Sequence, residues 1–143
     1  MGIINLLYDK KIFIDTAPLI YFIEGSNNYV QKLNELFCSK NDCQFITSVI
    51  TLSEVLVMPL REKNTRLAKQ YEDILTQTDN FQIYEINRQI AKETASLRAK
   101  YSIKTPDAIQ LATAKYYMAD YFLTNDLKLK IDNSLKIITL ADL

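Results

Sequence analysis

Histidine is absent from the 143 residues of this chain. That absence excludes Ser-His-Asp and Cys-His catalysis, the HExxH metalloproteases and nearly every zinc site built on imidazole. Any chemistry must come from carboxylates, hydroxyls, lysines or a metal held by oxygen. Cysteine is scarce too. Cys38 and Cys43 are the only two, and two thiols cannot complete a four-ligand zinc site without His. Nothing marks the chain as secreted, so both are expected to be free thiols acting as small hydrophobes. An excess of charge is also missing: Lys plus Arg and Asp plus Glu number 17 each, and the net charge is zero. Proteins that bind nucleic acid through global charge are basic. Any such contact here must be a local patch.

No apolar run approaches the length of a membrane span. The start, MGIINLLYDKK, lacks the basic opening and long apolar core of a signal peptide. Leu6 stands where a myristoylation site wants Ser or Thr. The expectation is a soluble, cytoplasmic protein. Two glycines and three prolines punctuate the whole length, so loops should be short and helix content high. With no linker, repeat or low-complexity segment, one domain over residues 1–143 is expected. Apolar residues make up 48%, enough for a single sizeable core.

What is present alternates strands with helices. KIFI (11–14) is a short apolar strand, and residues 17–24 can open a helix with Pro18 in its first turn. From Asn28, residues Tyr29, Leu33, Leu36 and Phe37 recur at helical spacing. QFITS (44–48) is strand-like, residues 51–60 are helical and end near Pro59, and residues 62–78 place Leu67, Tyr71, Ile74 and Leu75 on one face. FQIYEI (81–86) alternates as a strand, and residues 88–101 align Ile90, Leu97 and Tyr101 on a helix. Pro106 opens another helix to about Met118. DYFLTN (120–125) is a strand and its exit, a short helix follows, and LKIIT (135–139) is the last strand. Strands separated by helices imply parallel crossovers. The expected fold is α/β: a three-layer α/β/α sandwich around a central, mainly parallel sheet of about five strands. Ligands in such sheets bind beyond the carboxyl ends of the strands.

Acids fall at that edge. Asp15 follows the first strand, Glu54 lies in TLSEVL within the first turn after the second, and Asp126 in FLTNDLKL follows the fourth. Asp107, in TPDAIQLATA, opens the helix before the fourth strand, and its edge depends on how the preceding helix packs. Each acid also has an ordinary role. Thr51-x-x-Glu54 reads as a capping box, Thr105-Pro106-Asp107 as a helix start, and Asp15 and Asp126 as possible caps. Asp73, Glu85 and Asp132 read as solvated surface charges. The case for function is collective. Two carboxylates ~4 Å apart repel by ~4 kcal/mol at an effective dielectric near 20. No histidine is available to offset this, and no Arg adjoins any of the four in sequence. A hard divalent cation would offset it, and oxygen-only ligands select Mg²⁺ or Mn²⁺. Such an ion polarises a phosphoryl oxygen and acidifies water, which suits phosphodiester hydrolysis.

Taken together, IDTAPLIYFIE, TLSEVL, TPDAIQLATA and FLTNDLKL, in that order and over essentially the whole chain, resemble the motifs of PIN domains. They are similar above all to VapC-type toxins. The resemblance implies a Mg²⁺- or Mn²⁺-dependent endoribonuclease whose products carry 5′-phosphates and 3′-hydroxyls. It matches Asp15, Glu54, Asp107 and Asp126 to the family's acidic cluster, bringing Asp107 to the shared edge. Asp15 and Asp107 would be the main metal ligands, with Glu54 and Asp126 holding a second ion or positioning water. Thr16, Thr124 and Asn125 would orient carboxylates or water. The resemblance also implies a homodimer and a cognate antitoxin, with Leu19, Ile20 and Ile23 as surface candidates that read equally as core.

RNA would be held by local basic residues. Arg61, Lys63, Arg66, Lys100, Lys128 and Lys130 are candidates, and Arg98 and Lys104, leading into the Asp107 motif, are the preferred ones. Tyr101 reads as core rather than as a base-stacking platform. Competing readings are a haloacid-dehalogenase-type phosphatase, a receiver-like signalling domain, and a non-catalytic PIN-like module that binds RNA or protein. The first wants a second Asp at position 17, which is Ala17. The second wants an acidic pair before the first helix and a late Lys where Asp126 stands.

Overall fold

The computed structural model describes residues 2–25, 28–38, 42–130 and 134–143, so the reading of Asp132 as a surface charge lies outside the described residues. Strands β1 (Lys11–Ile14), β2 (Gln44–Ser48), β3 (Phe81–Tyr84), β4 (Tyr121–Thr124) and β5 (Lys136–Thr139) form one sheet in the order β3-β2-β1-β4-β5. Every pairing is parallel. The connecting helices are α1 (Thr16–Glu24), α2 (Val30–Cys38), α3 (Val49–Arg61), α4 (Thr65–Gln77), α5 (Arg88–Lys100) and α6 (Thr105–Tyr116).

The strands are short apolar runs because both faces of the sheet are covered. Side chains alternate across it. Ile12, Ile14, Phe45, Leu123 and Ile138 face Leu19, Leu33, Leu36, Val55, Tyr71 and Leu75 from α1 to α4. Phe13, Ile46 and Phe122 face Ile90, Leu97 and Leu111 from α5 and α6 on the other side. This is the expected three-layer sandwich. Phe13 and Phe122 are register partners on β1 and β4, and their rings stack at 5.1 Å. Leu19 is core, Ile20 and Ile23 pack half-buried against it, and Tyr101 packs against the opposite core.

Element boundaries differ from expectation where strand passes directly into helix. α3 starts at Val49, since Ser48 ends β2 and also caps the helix, its hydroxyl accepting from Ile50 N at 3.1 Å. Thr51-x-x-Glu54 is therefore not a capping box. Thr51 is buried within the first turn and Glu54 lies in the second. Pro59 does not end the helix, which runs on to Arg61. In the last turn a proline forgoes only one helical hydrogen bond, and this one's ring is buried. Lys63 (φ 55°) then turns the chain, and the Asn64 side chain caps α4 by accepting from Leu67 N, so that helix starts later than residue 62. A 3-10 segment at Ile3–Leu7 was not foreseen; it buries Leu7, whose carbonyl accepts the Cys43 thiol at 2.9 Å. Cys38 and Cys43 are not joined in a disulfide. Among the described residues no helix is long and apolar enough to cross a membrane.

Candidate active site

The sheet order places a switch point. From β1 the chain moves outward to β2 and β3, then returns as β4 on the other side of β1. Open α/β sheets bind ligands at such a point, here beyond the carboxyl ends of β1 and β4. Asp15 directly follows β1, and Asn125 and Asp126 directly follow β4.

Asp15 is fixed by its surroundings. Its backbone N–H donates to Leu123 O at 2.9 Å, extending the β1–β4 ladder by one residue. Its carboxylate caps α1, with Oδ1 accepting from Thr16 N at 2.9 Å and Oδ2 accepting from the Thr124 hydroxyl at 2.8 Å. The Thr124 oxygen also accepts from Asp126 N at 3.1 Å. The Thr16 hydroxyl donates to Glu54 Oε1 at 2.9 Å. Asp126 caps the 3-10 turn Leu127–Leu129, its Oδ1 accepting from Lys128 N at 2.9 Å. Asn125 donates to the Tyr21 hydroxyl at 3.1 Å.

Asp107 reaches the same edge because α6 must end where β4 begins. Asp120 lies just before β4; its N–H donates to Lys11 O at 2.7 Å and its Oδ2 accepts from Lys11 N at 2.8 Å. The C-terminus of α6 is thus at the amino edge of the sheet. Twelve residues of helix span ~18 Å, which returns the N-terminus to the carboxyl edge. Asp107 is in the first turn of α6, but the cap position is Lys104, which makes no side-chain capping bond.

Electrostatics link all four acids. Burial pushes the Asp15 carboxyl above the usual carboxylate range; the Thr124 and Thr16 hydrogen bonds oppose this, and the charges of Glu54 and Asp126 add to it. Burial likewise raises Asp107, the charges of Asp15 and Asp126 raise it further, and Lys104 partly offsets them. The ion pairs Lys69–Asp73, Lys115–Glu93 and Lys130–Asp142 involve none of the four. Among the described residues, no three His, Cys, Asp or Glu side chains converge closely enough to hold a metal ion. The acids repel but stand apart, and a shared cation would have to draw them together. Their chemistry suits a hard divalent ion: oxygen donors only, with negative charge that Lys104 offsets only in part.

The basic residues divide. Lys104 lies within electrostatic reach of Asp107. Arg98 is exposed and donates from Nε to Ile103 O at 3.3 Å, bracing the loop that leads to α6. Lys130 is engaged with Asp142 at 2.9 Å, and Lys100 lies over the Tyr101 ring. Asp73 is paired with Lys69, and Glu85 is exposed. Sequence reasoning did not anticipate the hydrogen bonds of Tyr21 with Asn125 and of Gln110 with Ser48 and Thr51. The one local signal was a glutamine inside the otherwise apolar run AIQLA.

The sheet order 3-2-1-4-5 defines an open α/β/α class distinct from a receiver, whose order is 2-1-3-4-5. The chain belongs to the PIN domain family, whose model matches residues 12–131. It is 30% identical over 142 residues to Ribonuclease VapC2 of Methanocaldococcus jannaschii, covering 91% of this chain and 94% of that one. VapBC2 from Rickettsia felis, solved bound to a DNA fragment from its promoter, shares the fold at TM-score 0.71 and 18% identity, over 90% of this chain and 98% of that one. A toxin-antitoxin complex from Klebsiella pneumoniae does so at TM-score 0.69 and 24% identity, over 92% and 99%.

Proposed function

We propose that this chain is a VapC-type endoribonuclease that hydrolyses RNA phosphodiester bonds with Mg²⁺ or Mn²⁺ at the edge formed by Asp15, Glu54, Asp107 and Asp126. The observation that carries the reading is electrostatic: these acids act on one another at the β1/β4 switch point, and among the described residues none is held in an ion pair. The similarity to a ribonuclease supports the substrate class. Asp15 and Asp107 would be the principal ligands, with Glu54 and Asp126 holding a second ion or orienting water. A divalent ion there supplies charge neutralisation at phosphate and a more acidic water. Asp15 is aimed in advance by Thr16 N and the Thr124 hydroxyl, and Glu54 by the Thr16 hydroxyl. Pre-aimed carboxylates lower the reorganisation needed in the transition state. Lys104 and Arg98 are proposed to meet RNA phosphates flanking the scissile bond. The toxin-antitoxin complexes among the structural neighbours support an antitoxin as partner. A homodimer is proposed with it.

Asp15→Asn and Asp107→Asn test the assignment. Each should lower cleavage by at least ~100-fold, the scale for losing groups that act on the transition state, with an unchanged circular dichroism spectrum. Folded variants that keep wild-type turnover would remove these acids from the reaction.

A further inference from the structure

α6 buries a polar side chain where its neighbours are apolar or small. Gln110 is 1% exposed, beside fully buried Ala108, Leu111 and Ala112. Its Oε1 accepts from the buried Ser48 hydroxyl, and its Nε2 donates to Thr51 Oγ1 at 2.6 Å. The Thr51 and Thr47 hydroxyl oxygens lie 2.7 Å apart, and the Thr47 hydroxyl donates to Ile14 O at 2.8 Å. These bonds close in one direction only. A carbonyl only accepts, so Thr47 spends its single proton on Ile14. Thr51 must then donate to Thr47 and is free to accept from the Gln110 amide. Ser48 donates to Gln110 and accepts from Ile50 N at 3.1 Å. Every hydroxyl proton is used, and the amide orientation of Gln110 is fixed.

The chain of bonds ends beside three of the four acids. Ile14 precedes Asp15, Thr51 lies one turn before Glu54 on α3, and Gln110 lies one turn after Asp107 on α6. Buried polar groups cost free energy that an apolar set of the same shape avoids. A fully satisfied network fixes one arrangement of the elements it joins. We propose that the Ser48–Gln110–Thr51–Thr47–Ile14 chain is a positioning device, with Gln110 at its centre, that holds β1, α3 and α6 in the relation the acidic edge requires. Gln110 thereby sets cation affinity and turnover, not RNA affinity. This rests on the reading of that edge as a metal-dependent catalytic site.

The test compares wild type with Gln110→Met, of similar length but without hydrogen bonds, and with Thr51→Val and Thr51→Ser. Mn²⁺ affinity is read by titration calorimetry, and kcat and KM on a defined RNA. Gln110→Met and Thr51→Val should each lose ~10–100-fold in Mn²⁺ affinity and in kcat, the range for partners that orient metal ligands. KM for RNA should stay within about twofold, because uniform binding is untouched. Thr51→Ser keeps the hydroxyl and should keep wild-type values. The pair Gln110→Met with Thr51→Val should be little worse than either alone, as expected for one network. A folded Gln110→Met with wild-type kcat and Mn²⁺ affinity overturns the positioning role and leaves the nuclease reading intact. If Gln110→Met does not fold, equal losses in Thr51→Val and Thr51→Ser overturn it. A wild type that neither binds Mn²⁺ nor cuts RNA overturns both.

Discussion

At the scale of the residue, Asp107 holds a charge that its surroundings oppose. Its folded pKa lies above the unfolded value, chiefly through burial and then through Asp15 and Asp126. The unfolded chain therefore loses this proton more readily than the folded one. Ionised Asp107 lowers folding stability at pH values above its folded pKa, and that cost fades as pH falls below the unfolded pKa. With a chelator present at pH 7, Asp107→Asn should melt above wild type, by a margin that partial solvent exposure of Asp107 keeps small. The difference should vanish as pH drops below the ordinary Asp value of about 3.9. A variant that melts lower at pH 7, or keeps its advantage at low pH, would show that charge repulsion is not what burdens this site. Asp15, Asp107 and Asp126 stood out in sequence because each follows a strand or opens a helix, and Glu54 because it lies in the motif TLSEVL. Gln110 did not. Its partners Ser48 and Thr51 lie 62 and 59 residues away, so no local spacing announces them.

Among elements, strands were the most readable. KIFI and QFITS match the observed limits, since a strand covered on both faces must be a continuous apolar run. Helix starts were less so. Ser48 serves β2 and α3 at once, and sequence periodicity marks no boundary inside a shared residue. The edge from which α6 departs looked undetermined, yet chain length settles it. Only residues 117–120 separate α6 from β4, so the helix must end at the amino edge. The join between β1 and β4 places Asp15 and Asp126 side by side, and the Phe13–Phe122 stack ties those two strands together. Phe122→Ala should cost ~3–5 kcal/mol, the range for removing a buried aromatic, measured by urea denaturation. A loss under ~1 kcal/mol, the level of a surface change, would mean that this contact does not secure the switch point.

The whole molecule carries no net charge, and its function, on this account, rests on local fields. An acidic edge meets Lys104 on its rim, while Lys130 is already engaged by Asp142. Strand order could not be read from sequence, because helical crossovers allow β4 to return on either side of β1. In the order β3-β2-β1-β4-β5, β4 lies beside β1, which makes Asp15 and Asp126 neighbours at one edge of the sheet. The most direct test is cleavage of total RNA by the purified protein with Mn²⁺, run beside Asp107→Asn and a chelator control, with the ends of the fragments identified. Discrete fragments bearing 5′-phosphates, made only by wild type with metal, are the predicted result. Cleavage that survives the chelator or the substitution, or no cleavage and no Mn²⁺-dependent rise in Tm, would contradict a metal-dependent nuclease at this edge.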